Sequence, residues 1–101
     1  MYTLKYAKSY RDDMKSTINY IKYNLQNPIA AQRLKEEIKS KYKNLKENPF
    51  IYPVVSDEYL ASKGYRFIMV NNFMIFYKVK EMQIEIVRFL YGYRNWINIL
   101  E

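Results

Sequence analysis

Two arginines stand inside runs that are otherwise rich in apolar residues: Arg66 in Tyr65 to Val70 (YRFIMV) and Arg88 in Ile84 to Tyr91 (IEIVRFLY). A guanidinium among apolar strand residues costs stability unless it is paired, and its planar fork matches phosphate or carboxylate. The 101-residue sequence contains neither histidine nor cysteine. That excludes the commonest general base near neutral pH, the commonest metal ligand and any thiolate nucleophile. Chemistry in this chain must therefore use carboxylate, tyrosine, lysine or arginine. The 12 tyrosines offer surface for stacking on single-stranded bases, but most, including Tyr20, Tyr42 and Tyr77, fall on stripes that read as core. Tyr65, Tyr91 and Tyr93 flank the arginines and are the better candidates. Lys35, Lys39 and Lys43 form an i, i+4, i+8 ridge whose ordinary reading is a solvated helix face. No glycine-rich phosphate loop exists, since the two glycines are Gly64 and Gly92, and no metal or cofactor motif is present.

Whether the arginines meet depends on strand register. With Asn71-Asn72 as a two-residue turn, Val70 faces Phe73 and Arg66 faces Tyr77. With Lys80 to Gln83 as the next turn, Val79 faces Ile84 and Tyr77 faces Ile86. Arg66, Tyr77 and Arg88 then share one face, with the arginine Cα atoms roughly 12 Å apart for strands ~4.8 Å apart and a rise of ~3.3 Å. Long side chains span that distance to a single phosphate. The same face also carries Ile68, Val70, Ile75, Ile84 and Ile86, which is a core pattern. A bulge would transfer part of a strand to the opposite face, so the convergence is conditional on an unbroken register. The plainer reading makes both arginines sheet-end residues, with snorkelling heads or ion pairs to Asp57, Glu58 or Glu85.

The elements that must position these residues follow from periodicity. Tyr2 to Tyr6 alternates as a short strand. Ser9 suits an N-cap, and Tyr10, Met14, Ile18, Ile21 and Leu25 recur at helical steps until Asn27, before Pro28. Pro28 suits the first turn of a second helix, whose stripe is Ala31, Leu34, Ile38, Tyr42 and Leu45. Glu47 to Gly64 reads as irregular, broken by Asn48-Pro49 and Tyr52-Pro53. Three β-rich runs follow, Tyr65 to Val70, Phe73 to Val79 and Ile84 to Tyr91, and then a short helix, Trp96 to Leu100, capped by Asn95. The expected architecture is α+β: an N-terminal strand and a helical hairpin packed on an antiparallel β-sheet, in the order β-α-α-β-β-β, with a short C-terminal helix.

Composition bounds the rest. The length suits one domain over residues 1–101, and half the residues are apolar, which excludes disorder as the main reading. The first ten residues lack the apolar region of a signal peptide, and no run approaches the length of a membrane span. With no cysteine, the sequence agrees with a reducing compartment, and the cytoplasm is the expected location. The net charge of +7 points to nucleic acid, an anionic surface or an acidic protein as partner, without choosing among them.

Four stretches add a resemblance: NPIAAQRL at the start of the second helix, the loop ENPFIYPVV, then GYRFIMVNNFMIFYKV and VRFLYGYRNWINIL. In their order and spacing, over nearly the whole chain, they resemble the RelE/ParE superfamily of type II toxin–antitoxin toxins. The resemblance implies an acidic cognate antitoxin of the RelB or ParD kind, and one of two targets. RelE-type members cut mRNA in the ribosomal A site; ParE-type members poison DNA gyrase. By the same resemblance Arg66 matches a phosphate-binding strand arginine and Arg88 the arginine that stabilises the transition state. The lysine pair of the nucleases falls near Asp57 and Tyr59, leaving Lys63 as nearest substitute, with Tyr65 beside it. The catalytic tyrosine falls close to Arg94, with Tyr91 and Tyr93 displaced from it, so Tyr91, Tyr93 or Glu58 would handle protons. The expectation is a metal-independent endoribonuclease that inhibits translation on ribosome-bound mRNA. Gyrase poisoning is the alternative, and a binding module without chemistry is the second.

Overall fold

In the computed structural model, which describes residues 1–92 and 94–101, Asn27 and Pro28 divide the helical half of the chain. Asn27 Oδ1 accepts from the Ala30 N–H at 3.0 Å, and Pro28 opens helix α2 (Pro28–Glu47), where its missing N–H costs nothing. The stripe Ala31, Leu34, Ile38, Tyr42 and Leu45 is buried along its whole length. Helix α1 (Lys8–Asn19) starts earlier than its sequence suggests, with Ala7 at the N-cap and no capping side chain. Ser9 instead donates its hydroxyl to the Val87 carbonyl at 2.7 Å, tying α1 to the sheet. The predicted helix end is also different. Tyr20–Asn24 forms a π-helical turn, closed by the Leu25 N–H donating to the Tyr20 carbonyl, and Gln26 follows at φ 50°. The wider turn carries Leu25 off the buried stripe, and it is exposed.

Strand β1 (Thr3–Tyr6) precedes the hairpin; β2 (Arg66–Val70), β3 (Phe73–Lys80) and β4 (Gln83–Tyr91) follow it, in the sheet order β1-β4-β3-β2. β2, β3 and β4 are the expected antiparallel meander, turning at Asn71 (φ 53°) and Glu81 (φ 57°). β1 joins β4 in parallel, so the sheet is mixed rather than wholly antiparallel. The hairpin, β2 and β3 all lie between them in sequence and together supply the long connection that a parallel pair needs.

Register follows the expected pairing through Val70–Phe73, Arg66–Tyr77, Val79–Ile84 and Tyr77–Ile86. Then it slips. Phe76 faces Arg88, so Val87 is an extra residue on β4, a bulge between Ile86 and Arg88. The core accordingly has two parts. Ile75, Tyr77, Ile84 and Ile86 pack with the stripes of α1 and α2 on one face. On the other face, Met74, Phe76 and Leu90 pack with Val55 and Leu60, and Leu60 belongs to helix α3 (Glu58–Ser62). Helix α4 (Trp96–Leu100) closes that side, its Trp96 ring 5.4 Å from Phe76. Asn95 precedes α4 as expected but makes no capping bond through its side chain. Among the described residues no helix is long and apolar enough to cross a membrane.

Candidate functional site

The slip at Val87 decides where the arginines go. Paired residues point to the same face, so Arg66 shares the hairpin face with Tyr77 while Arg88 shares the opposite face with Phe76. The regular register, which placed both on one side, is corrected by one extra residue. Beyond Ile86, β4 has outrun β1, and its free edge meets α1. There Asp13 takes the Arg88 fork in both oxygens: Nε–Oδ2 is 2.7 Å and Nη2–Oδ1 is 2.8 Å. Asp13 Oδ2 also accepts from the Phe89 N–H at 3.1 Å, satisfying a strand donor that β1 no longer reaches. The pair is largely buried, at 25% and 13% side-chain exposure. Its carboxylate comes from α1, not from Asp57, Glu58 or Glu85. Sequence reasoning placed Asp13 only in a helix start. Its one usable signal is a spacing of three from Tyr10, which sets it at the margin of the buried stripe.

Arg66 is engaged by the irregular segment before α3. Its Nη1 donates to the Tyr52 carbonyl at 2.6 Å, and its guanidinium lies 5.2 Å from the Phe50 ring centroid. The same segment is laced to β2 by the Val55 N–H to Tyr65 and the Phe67 N–H to Pro53. Tyr77 donates its hydroxyl to the Pro49 carbonyl at 2.6 Å, and burial pushes its pKa up, opposed in part by Arg66.

The other expected site residues separate into two groups. Tyr91 and Arg94 line a small cleft of about 110 Å³ together with Asp13, so they gather near Arg88. Tyr91 also meets Phe73 edge-on at 5.7 Å. Lys63 and Tyr65 lie around α3 and the start of β2: Lys63 sits over the Tyr59 ring at 5.3 Å, and Tyr65 lies beneath Lys78 at 4.7 Å. Burial raises the pKa of Tyr65, with Glu85 adding to the effect. Glu58 is exposed in the first turn of α3, behind Asp57, whose carboxylate accepts from the Leu60 N–H at 3.0 Å. Tyr93 lies outside the described residues.

A further concavity, which the sequence did not suggest, runs between α1, α2 and β1. It is a shallow groove of about 480 Å³, floored by Tyr6, Tyr10, Met14 and Tyr42 and edged by Arg11, Lys15 and Lys35. Tyr6 stacks on Tyr10 at 5.5 Å, and Tyr42 donates its hydroxyl to the Tyr10 oxygen at 2.6 Å. Burial drives both pKa values upward, that of Tyr10 to about 12. Of the expected ridge, all of it exposed, Lys35 and Lys39 border this aromatic surface while Lys43 does not.

The helical hairpin over a strand-crossed meander, with short helices behind it, is the fold of the RelE/ParE superfamily of toxins. Solved structures share it, these two among them. The chromosomal ParDE toxin–antitoxin system from P. aeruginosa has a TM-score of 0.71 and 20% identity, over 90% of this chain and 96% of that one. The YoeB/ParE toxin from Agrobacterium tumefaciens has a TM-score of 0.65 and 17% identity, over 90% and 99%. No curated protein sequence matches the chain. Residues 4–96 match the family described as the ParE toxin of the type II toxin–antitoxin system parDE, and the chain belongs to that family. Membership implies a cognate antitoxin.

Proposed function

We propose that this toxin arrests growth by binding DNA gyrase and trapping it on DNA, not by cleaving RNA. The observation that carries the reading is the separation of the two arginines. Stabilising a phosphorane needs preorganised donors converging on one site. Here Arg66 and Arg88 leave the sheet on opposite faces, one held by a carbonyl and the other by a carboxylate. Membership of the ParE family agrees with this target. The antitoxin is acidic, and an apolar-anchored segment of it occupies the groove of Tyr6, Tyr10 and Tyr42, its carboxylates meeting Arg11, Lys15 and Lys35.

Ribosome-dependent mRNA cleavage is the second reading, favoured by Arg88, Tyr91 and Arg94 lying around Asp13 at one end of β4. It requires Asp13 to release Arg88 when substrate arrives. Induction of the toxin separates the two. Gyrase-dependent linearisation of supercoiled plasmid in the presence of ATP, with intact mRNA by primer extension, is the expected result. New A-site cleavages that disappear in Arg88→Ala would overturn it.

A further inference from the structure

The half of the sheet that α3 and α4 leave uncovered is basic. In register across three strands, Glu85 of β4 stands between Lys5 of β1 and Lys78 of β3. These positions alternate with Ile84 and Ile86, which point into the hairpin core, so they face away from it. Lys80 lies two residues beyond Lys78, about 6.6 Å along the strand. Lys63, at the end of α3, completes a depression of about 560 Å³ that Gln83 and Glu85 also line. Four lysines thus share one carboxylate. Even so, among the described residues the ion pairs are Lys8–Asp12 and Arg88–Asp13, and none of the four is in one. Lys78, directly opposite Glu85, sits over the Tyr65 ring instead.

We infer that this face binds the phosphate backbone of nucleic acid, with Lys5, Lys78 and Lys80 as the phosphate contacts. An unneutralised cationic row across paired strands suits a polymer with regularly spaced charge, because its binding is driven by counterion release. A folded protein or peptide partner is the poorer match. Protein interfaces have an apolar centre and are depleted in lysine, whereas among the described residues lining this depression the one apolar residue is Val79, whose side chain packs toward the hairpin core. The inference goes beyond the gyrase reading and does not depend on it, since the isolated toxin is expected to bind nucleic acid directly.

The test is fluorescence anisotropy of the purified full chain with a labelled 20-base-pair DNA duplex, titrated at several salt concentrations. Three phosphate contacts give a slope of log K against log salt of about −2.7, or a loss of affinity of roughly 40-fold between 50 and 200 mM salt. The triple variant Lys5→Gln, Lys78→Gln, Lys80→Gln should lose most of that slope. The matching Lys→Arg triple should keep it, because the charges remain. Removing the same number of charges from the hairpin, by Lys22→Gln, Arg33→Gln and Lys43→Gln, should leave the slope nearly unchanged. Equal losses in the two glutamine triples would mean that only net charge matters, and would overturn the inference. So would an absence of binding by the native chain at 50 mM salt, loss of the slope in the arginine triple, or displacement of the duplex by poly-glutamate at equal charge concentration.

Discussion

Asp13 holds three donors at once, two from Arg88 and one from the Phe89 backbone, in a crevice where water competes poorly. Truncating it leaves a partly buried guanidinium and a strand N–H without their acceptor. Asp13→Ala should cost about 1.5–3 kcal/mol, the range for hydrogen bonds to charged groups. Asp13→Asn, which keeps an acceptor for Phe89, should cost less. Urea midpoints at unchanged m-value check both, and a loss for Asp13→Ala within about 0.5 kcal/mol would show the pair to be ornamental. The Tyr10–Tyr42 bond makes a different prediction, in pH. Burial favours the neutral phenol in the folded state, raising the Tyr10 pKa to about 12. Below an unfolded-state pKa of about 10, neither state ionises and stability is flat. Above it the unfolded chain loses its protons first, so stability falls as pH rises from about 10 toward the folded value. Replacing both tyrosines by Phe should make the urea midpoint less steep in pH over that window than in the native chain. Lysine deprotonation is common to both proteins and cancels in the comparison.

At the scale of elements, α2 and the turn after β4 carry opposite kinds of constraint. Leu34, on the fully buried stripe, should cost about 2–5 kcal/mol on truncation to Ala, and exposed Glu36 about 0.5 kcal/mol or less. Equal costs would mean that the helix is rotated from its assigned face. Gly92 is limited by space: its N–H donates to the Asn72 carbonyl at 2.6 Å, and an added Cβ would stand 3.0 Å from that oxygen. Gly92→Ala should therefore destabilise by about 1–3 kcal/mol, read by the same denaturation. These elements also show what could be read in advance. The helix stripes, Pro28 at its helix start, and the pairing of Arg66 with Tyr77 all follow from local rules of period and turn chemistry. Val87 does not. It is a β-branched residue in a β-rich run, as suited to a regular strand as to a bulge, and only the end of β1 and the approach of α1 select the slip. The consequence reaches the site directly, because one residue exchanges Arg88 from the face of Tyr77 to that of Phe76. The hold of Tyr52 on Arg66 is similarly hidden, since a backbone carbonyl in an irregular segment has no sequence signature.

The molecule as a whole carries +7, and two separate surfaces gather cations, the rim of the hairpin groove and the bare half of the sheet. An acidic antitoxin should meet such a body with electrostatic steering, so its association rate should fall as salt rises while dissociation changes little. Lys15→Glu with Lys35→Glu should slow association by roughly tenfold or more at low salt. Stopped-flow mixing of toxin and antitoxin reads this directly, and a rate indifferent to salt and to these changes would place the interface elsewhere.

The parallel pairing of β1 with β4 has a consequence in time. A chain synthesised from its N-terminus makes Thr3–Tyr6 first, and their partners Gln83–Ile86 only some 80 residues later. Asp13 waits as long for Arg88. Closing so wide a loop yields nothing until both ends exist, while the hairpin and the β2–β4 meander assemble from neighbours. At about 5–20 residues per second, the nascent toxin spends seconds as a hairpin without the sheet that covers it. Its activity therefore begins only once β4 has been made, and an antitoxin already present has that interval in which to meet it.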